Sequence, residues 1–379
     1  MYREKYWNLI IIVISTFFSS LIEGFLRWYM PKLAMEISLI YLVVTYTVSY
    51  AVITITILIG GILADIFNRK HIILISYFII ALTSTFLTFF FNPIMLAIFI
   101  ITYTVLPMLY RSSFKALIAN VGTILGNAIA KVYSITLAIT YTGMLLGSMY
   151  FASQESYNSF KVISLLIWTA FFTFILFKYK HENIKATKWS NHLTIKNLIK
   201  TLQQQTLIAT LMILWGIGGG INASFLPNYL SSVIRLTNTQ LGFLFSTIYG
   251  LQAILYVIVG YLVSFIGCRR SLLFNVTLMS IFCVLISLKS IFLSYVAVYV
   301  MIIATMFGNT ALFTYIAKIT SNEFYGKAYG YLEAIWFSSS ALGVVLGGVL
   351  WNFNNEFLFI YILPMIILQT PIIMKLKKS

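Results

Sequence analysis

Long apolar segments follow one another along the whole chain, and short polar connections separate them. A helix needs about 20 apolar residues to cross roughly 30 Å of hydrocarbon, so the pattern predicts about twelve crossings. The chain is therefore expected to be an all-α integral membrane protein. The predicted crossings lie near residues 8–30, 39–64, 71–91, 94–118, 129–151, 160–177, 206–230, 239–264, 271–289, 292–318, 328–351 and 357–374.

Two polar junctions repeat each other about two hundred residues apart. Residues 61–70, GILADIFNRK, close one apolar segment and open the next, and residues 260–270, GYLVSFIGCRR, do the same 199 positions later. Pro31 matches Pro227 at an offset of 196. This register predicts two six-helix bundles with pseudo-two-fold symmetry. The predicted divisions are a bundle over residues 1–177, a basic linker over 178–205 and a bundle over 206–379.

Composition and charge support a membrane protein with a defined orientation. Apolar residues make up 60% of the chain and charged residues only 9%, unlike a soluble domain. Of the 25 Lys and Arg residues, 20 fall on the side that holds both predicted termini. Because basic loops stay in the cytoplasm, we expect a multi-pass protein of the cell membrane with both termini inside. The net charge of +16 reflects this bias, and nucleic acid is not an expected partner.

The predicted linker, residues 178–205, carries six Lys and one acidic residue, Glu182. One interpretation is a solvated basic connection between the halves. The other is a short amphipathic helix over residues 193–202 that lies on the anionic leaflet.

The six-plus-six arrangement, with its basic central loop and the junction between crossings two and three, resembles the major facilitator superfamily over the whole chain. The loop signature of that family is Gly-x-x-x-Asp-Arg-x-Gly-Arg-Arg/Lys. This chain supplies Gly61, Asp65, Arg69 and Lys70, but has Ile and Asn where the signature has its first Arg and second Gly. The second copy replaces the acid with Ser264. The resemblance implies a transporter that works by alternating access.

The first junction has the chemistry of a latch between helices. Gly61 permits close approach of two backbones, Asp65 places a carboxylate at the cytoplasmic edge, and Arg69 and Lys70 are cations near it. The resemblance implies that Asp65 meets the start of crossing 11, near residues 326–330. A positive-inside stop signal with an incidental acid is the alternative.

Paired glycines mark helix faces that other helices can approach closely. They are Gly143 and Gly147 in crossing 5 and Gly343 and Gly347 in crossing 11. The resemblance implies that crossings 2, 5, 8 and 11 form the interface between halves, so these pairs are expected there. Crossing 5 also partly resembles the antiporter signature of the family, with Ser148 in place of its Pro.

Glu23 and Arg27 are the outstanding charges within an apolar segment, four residues apart and hence on one helical face. Glu23 lies about 22 Å along the first crossing at 1.5 Å per residue. Burial favours the neutral form of a carboxyl group, so Glu23 is a candidate proton carrier with Arg27 as its modulator. A static intrahelical salt bridge is the alternative. The matching positions of crossing 7, Gly219 and Ala223, are uncharged.

A second set of charges suggests a cytoplasmic gate. Arg111 and Lys115 share a face of crossing 4, and Glu333 lies near the cytoplasmic start of crossing 11. Pairing across the halves in one state only would bias the conformational equilibrium. Snorkelling of the two cations to the headgroups is the alternative.

Polar and aromatic residues supply candidates for a substrate cavity, since the resemblance implies that crossings 1, 4, 7 and 10 line the central path. An aromatic cavity with two amides and one acid suits an amphipathic or weakly cationic solute. The alternative is that the amides only bridge helices. The candidates are Trp215, Asn222, Tyr299, Phe307, Asn309 and Tyr315.

The sequence favours a transporter over an enzyme. It contains no phosphate-binding loop and no His or Cys cluster with metal-ligand spacing, so we expect no metal, no cofactor and no direct use of ATP. The prediction is a monomeric, proton-driven exporter of an amphipathic or drug-like small molecule in the lipid bilayer. Uptake or exchange of a small polar metabolite, such as a sugar or carboxylate, is the alternative. A membrane scaffold or lipid-moving protein of the same fold is a more remote one.

Overall fold

The computed structural model describes residues 2–66, 69–124, 129–152, 156–177, 206–319 and 325–376, and nearly all of these are helical. Each predicted crossing coincides with a helix, and the last is divided into two. The helices are α1 (Tyr2–Ile37), α2 (Leu39–Ile66), α3 (Arg69–Phe89), α4 (Pro93–Ile124), α5 (Ile129–Ala152), α6 (Ser156–Ile175), α7 (Thr206–Ser232), α8 (Asn238–Ile266), α9 (Cys268–Ser287), α10 (Ile291–Ile319), α11 (Tyr325–Asn354), α12 (Leu358–Ile367) and α13 (Gln369–Met374). A short 3₁₀ turn, Asn355–Phe357, precedes α12.

Most of these helices are membrane-spanning by length and composition. In the part of the chain that the structure describes, seven are long and apolar enough to cross a bilayer, or eight if a bent pair in α8 is one span. Two shorter apolar helices, Pro93–Leu109 and Ser159–Ile175, add to them. The chain is therefore an all-α, multi-pass membrane protein, as the sequence predicted.

The first helix is longer than its predicted crossing. α1 continues through Pro31 to Ile37, although the pattern placed its end near residue 30. Proline is tolerated within membrane helices because neighbouring groups satisfy the freed backbone. Separately from the group that proline frees, the Pro31 carbonyl accepts a hydrogen bond from the Asn228 amide of α7 at 3.1 Å, which joins α1 to α7. The equivalent Pro227 also lies inside its helix, α7.

Ser and Thr side chains within the apolar helices bond to their own backbone. Ser49, Ser76 and Ser280 each donate to the carbonyl four residues earlier, at 2.8–2.9 Å. In hydrocarbon an unsatisfied hydroxyl is costly, and this local bond removes the cost without a partner helix. Hydroxyl residues can therefore occupy membrane-spanning helices without marking a polar site.

The described chain divides into two compact units. The first unit comprises residues 1–30, 55–189 and 238–253, and the second comprises 31–54, 190–237 and 254–379. In the first unit α3 packs on α4 and α6, and in the second α7 packs on α11 and α9 on α10. The early part of α8 thus packs with helices of the first half of the sequence. The predicted linker lies outside the described residues, and the predicted bundle boundaries stay a prediction.

The paired glycines lie at backbone contacts within each unit. A Cβ atom at Gly147 would lie 1.7 Å from the Leu21 carbonyl oxygen of α1, and one at Gly24 would lie 2.1 Å from the Met144 carbonyl oxygen of α5. A Cβ atom at Gly143 would lie 2.8 Å from the Cβ of Ser20. Helices α1 and α5 therefore meet backbone to backbone.

The same contact recurs between α7 and α11. A Cβ atom at Gly343 would lie 2.2 Å from the Ile217 carbonyl oxygen, and one at Gly220 would lie 2.1 Å from the Ser340 carbonyl oxygen. Gly347 lies against the Phe225 ring. Each pair thus faces a helix of its own half, and α1 and α7 carry glycines that complete the close contact. That crossings 5 and 11 lie at the interface between halves stays a prediction.

The junction glycine of the second copy differs from a glycine beside the first junction. No described residue lies within 4 Å of a Cβ atom added at Gly260, so among the described residues this glycine makes no close approach. The sequence analysis did not single out Gly60. A Cβ atom added at Gly60 would lie 3.0 Å from the Leu109 carbonyl oxygen of α4.

Candidate functional site

An ion pair on α1 forms the centre of the candidate site. The Glu23 carboxylate accepts hydrogen bonds from Arg27 Nε at 3.0 Å and Arg27 Nη2 at 2.5 Å. The Glu23 side chain is 33% exposed and that of Arg27 is 57% exposed. The two groups satisfy each other in this conformation, as the salt-bridge interpretation expected, yet both keep an accessible surface.

Three tyrosines from neighbouring helices lie within electrostatic range of this pair. Tyr141 of α5 and Tyr249 of α8 lie within electrostatic range of Arg27, and Tyr103 of α4 lies within range of both members of the pair. All of these groups belong to the first unit. The sequence analysis missed these tyrosines, because 25 tyrosines spread along an apolar chain form no pattern. We refer to these three tyrosines as the tyrosine shell.

A buried tryptophan, Trp28, follows Arg27 on α1. Trp28 is fully buried, and its indole N–H donates to the Ser148 hydroxyl of α5 at 2.9 Å. Its ring stacks on Phe245 of α8, with centroids 6.3 Å apart and planes 8° apart. Ser148, at the position where the antiporter signature has Pro, therefore joins α5 to α1. The sequence marked the position but not this contact.

The α7 positions that match Glu23 and Arg27 carry no charged side chains. A Cβ atom at Gly219, the counterpart of Glu23, would lie 2.8 Å from Trp336 Cζ2 of α11. Ala223, the counterpart of Arg27, is exposed. The indole of Trp336 therefore occupies the place next to α7 where a side chain would stand. The ionic pair is a feature of the first half of the chain.

The predicted cavity residues of the second half are mostly packed. Trp215 donates its indole N–H to the buried Gln369 of α13 at 2.6 Å. Phe307 is buried and meets Phe274 edge to face, with centroids 4.9 Å apart. Tyr315 is also buried.

Three further predicted cavity residues, Tyr299, Asn222 and Asn309, are half-buried. The Asn222 amide oxygen has no hydrogen-bond partner among the described residues. Of the predicted cavity residues, Asn222 therefore has the group best able to bind a donor.

The predicted latch and gate lie largely beyond the described side chains. Lys70 Nζ donates to the Ile175 and Phe177 carbonyls at the end of α6, at 2.9 and 2.6 Å. A cation on these carbonyls caps the α6 C-terminus, which the sequence analysis did not foresee. Of the remaining latch and gate residues, only Glu333 has a described side chain, which is half-buried. The helical backbone alone is described for Gly61, Asp65, Arg69, Arg111 and Lys115.

Within the described ranges, no three His, Cys, Asp or Glu side chains are grouped so as to hold a metal ion. Cys268 and Cys283 are buried and free.

The fold defines a class, that of helical multi-pass membrane proteins. Residues 207–376 match the model of the Major Facilitator Superfamily, as the resemblance in the sequence implied. The fold over nearly the whole chain is similar to that of solved transporters. No curated protein matches the chain.

Two solved structures illustrate the likeness. A nucleoside transporter, NupG, in a mutant form, superposes with a TM-score of 0.79 at 13% identity, over 97% of this chain and 99% of that one. A POT family transporter in complex with a thioalcohol-conjugated peptide gives a TM-score of 0.76 at 13% identity, over 97% and 95%. At such identity the likeness concerns the fold.

Proposed function

We propose that this protein is a proton-coupled secondary transporter that exports small amphipathic solutes by alternating access. The observation that carries the proposal is the accessible Glu23–Arg27 ion pair among the tyrosine shell on a membrane-spanning helix. Charges within the bilayer are expensive and usually serve function.

The chemistry of coupling follows from the pair itself. Ionised Glu23 accepts two hydrogen bonds from Arg27, which neutralises both groups for a conformational change in hydrocarbon. A proton on Glu23 removes the carboxylate charge and releases the guanidinium to other acceptors. Protonation and solute binding then favour different states, which is the requirement for exchanging one for the other.

The tyrosine shell indicates the class of solute. Aromatic rings offer apolar faces and attract cations, and phenol hydroxyls bond to polar groups. A small molecule with a ring and one polar or weakly cationic group meets both demands. We therefore place amphipathic solutes first.

A second candidate is uptake or exchange of a small polar metabolite. It is favoured by the 57% exposure of Arg27, whose guanidinium is suited to a carboxylate or phosphate. Solved structures of similar fold include a nucleoside transporter and a POT family transporter in complex with 5-aminolevulinic acid. Ionic solutes of this size would compete with Glu23 for Arg27.

The orientation and location follow from the basic loops. We propose that the chain resides in the cell membrane with both termini in the cytoplasm. The basic linker, residues 178–205, then lies on the cytoplasmic side. With Glu23 late in the first crossing, the pair is nearer to the outer surface.

The test is transport by the purified protein in proteoliposomes with an imposed pH gradient. Ethidium serves as the amphipathic probe, and uridine and 5-aminolevulinic acid serve as polar probes. We expect ethidium to accumulate against its gradient with the intact protein and only to equilibrate with Glu23→Gln. Glu36→Gln is the matched control, because Glu36 pairs with Lys32 at the same spacing on α1.

Each outcome decides between the candidates. Accumulation of uridine or 5-aminolevulinic acid but not of ethidium would favour the second candidate. If Glu23→Gln accumulates its solute as fully as the intact protein, Glu23 is not the proton carrier.

A further inference from the structure

Three consecutive glycines, Gly218, Gly219 and Gly220, lie near the middle of α7, and helix packing explains two of them. A Cβ atom at Gly220 would lie 2.1 Å from a backbone oxygen of α11, and one at Gly219 would lie 2.8 Å from Trp336 Cζ2. A Cβ atom at Gly218 would instead meet one described residue of another helix, Met365 of α12, at an ordinary contact distance of 3.8 Å. Glycine weakens a helix relative to alanine. Packing against the described residues therefore does not account for glycine at position 218.

The side chains around Gly218 stand above a position that has no side chain of its own. Trp215 and Asn222 lie three residues before it and four residues after it, which places both on its face of α7. Met365 lies on the α12 side, and Trp336 of α11 lies against the next glycine. Gly218 is half-buried, so these neighbours do not cover it completely. We call the space bounded by Gly218 and these four side chains the α7 recess. All five residues belong to the second unit.

Trp215 is held in place at both ends of its ring system. Its indole N–H donates to the Gln369 amide oxygen at 2.6 Å, and Gln369 is itself buried. Its Cη2 atom lies 2.8 Å from the Cβ position of Gly308 on α10. An aromatic side chain whose orientation is already fixed loses little conformational freedom when a ligand binds. The recess is therefore preorganised for a planar group.

Asn222 supplies the polar group of the recess. Its amide oxygen is buried and has no hydrogen-bond partner among the described residues. An unpaired amide oxygen is costly away from water, and an N–H donor on a bound molecule would remove this cost. Because the terminal torsion of asparagine is soft, a rotation of the amide turns the oxygen towards Gly218.

We propose that the α7 recess binds a planar, uncharged aromatic ring that carries an N–H group. The ring packs against Trp215 and Trp336, and its N–H donates to the Asn222 oxygen. None of the four side chains is charged, and the thioether of Met365 makes favourable contacts with aromatic rings. Under the proposed function, on which this assignment rests, the ring is part of the transported solute.

The experiment measures the binding of carbostyril, a planar bicyclic lactam with one N–H group, to the purified protein in lipid nanodiscs. Isothermal titration calorimetry gives the Kd at a single pH without any gradient, and empty nanodiscs correct for partition of the probe into lipid. N-methylcarbostyril is the matched ligand, because it keeps the ring and lacks the donor. We expect it to bind about tenfold more weakly than carbostyril, since it leaves the Asn222 oxygen unpaired.

Two variants test the two parts of the recess. In Gly218→Leu the new side chain should fill the recess and weaken carbostyril binding about tenfold or more. Its unfolding midpoint should stay the same or rise, because Leu is the better helix former and the added Cβ makes no close contact with another described helix. In Asn222→Leu carbostyril and N-methylcarbostyril should bind with equal Kd.

Gly260→Leu is the matched control for Gly218→Leu. Gly260 also lies within a helix, and no described residue lies within 4 Å of its Cβ position. The Kd for carbostyril in Gly260→Leu should equal that of the intact protein.

The outcomes separate the recess from the coupling mechanism. Equal carbostyril binding in Gly218→Leu and Gly260→Leu would show that the ring binds elsewhere, and the proposed function would still stand on its own test with Glu23→Gln. A preference for carbostyril that persists in Asn222→Leu would remove Asn222 from the site. Absence of saturable binding to the intact protein overturns the proposal. If binding is as expected but Glu23→Gln accumulates solute fully, the recess stands and the proposed proton coupling fails.

Discussion

Within the Glu23–Arg27 pair, the two charged groups differ in their exposure and in their neighbours. Glu23 is the less exposed group and accepts both hydrogen bonds, whereas Arg27 also lies near Tyr141 and Tyr249. A guanidinium has five donors, so two bonds to one carboxylate oxygen leave several for other partners. Arg27 is therefore equipped to bind a solute while it remains paired.

Replacement of Arg27 tests this dual role. In Arg27→Gln the Glu23 carboxylate loses the cation that donates its two hydrogen bonds, and proton-driven accumulation should fall about tenfold or more. Lys32→Gln, which removes the cation of the Lys32–Glu36 pair on the same helix, should retain accumulation within about twofold. The measurement is solute accumulation in proteoliposomes at a fixed pH gradient. Equal losses in the two variants would contradict a specific role for Arg27.

Ser148 is expected to stabilise the contact between α1 and α5. In Ser148→Ala the buried Trp28 indole N–H loses its acceptor, which costs about 1–3 kcal/mol. Ser49→Ala is the control, since Ser49 bonds only to its own helix in the described contacts. Thermal unfolding in detergent should show a lower midpoint for the first variant and little change for the second.

A double variant provides the decisive comparison for this bond. Trp28→Phe with Ser148→Ala should lose less stability than the sum of the two single variants, because neither group is then left unpaired. Strict additivity would show that the bond contributes nothing.

At the scale of helices, the glycine contacts determine how closely α1 and α5 approach. In Gly147→Ala the added methyl group would meet the Leu21 backbone oxygen, and a backbone cannot move aside as a side chain can. Overpacking of this kind costs typically about 1–3 kcal/mol. We expect a lower unfolding midpoint and reduced transport in this variant.

Gly260→Ala is the matched substitution for the glycine prediction. Gly260 also lies within a helix, but no described residue is near the added methyl group. Because Ala is the better helix former, the substitution should stabilise the helix by about 0.5–1 kcal/mol. The unfolding midpoint should stay the same or rise. A loss of stability in Gly260→Ala equal to that in Gly147→Ala would exclude helix contact as the reason.

The sequence predicted these elements well where hydrophobicity alone decides them. Every predicted crossing corresponds to a helix, because apolar length is the quantity that a bilayer selects. The end of α1 was misjudged, since proline is a poor stop signal where neighbouring helices supply partners. The sequence predicted a close contact at Gly143 and Gly147 but not that α1 makes it. A glycine pattern reveals a close contact but contains no information about which helix makes it.

The candidate site was predictable only in its charges. Glu23 and Arg27 stand out because charged residues are rare in apolar segments. The tyrosine shell could not be found from the sequence, because tyrosine serves packing, interfaces and binding alike. Tyr249 was the hardest to foresee. It comes from the second half of the chain and lies within electrostatic range of the pair, because the early part of α8 packs in the first unit.

At the scale of the whole chain, the two halves share their helix packing but not their charged residues. The α1–α5 contact recurs as the α7–α11 contact, with glycines in corresponding places. The ionic pair does not recur, since Gly219 and Ala223 stand in its place and Trp336 covers the first of these. The two halves thus share a framework of close helix contacts, whereas the Glu23–Arg27 pair has no counterpart in the second half.

The orientation of the chain gives the last prediction. The proposed orientation, with the termini inside, would place the α3–α4 connection at Phe90 outside the cell and Arg270, in the first turn of α9, inside. Both side chains are exposed, and the native cysteines, Cys268 and Cys283, are buried, so single cysteines at these sites can be labelled selectively. Phe90→Cys should react with a membrane-impermeant maleimide in intact cells, whereas Arg270→Cys should react only after permeabilisation. The reverse pattern would place the termini outside, and the basic loops would then lie on the side that the positive-inside rule excludes.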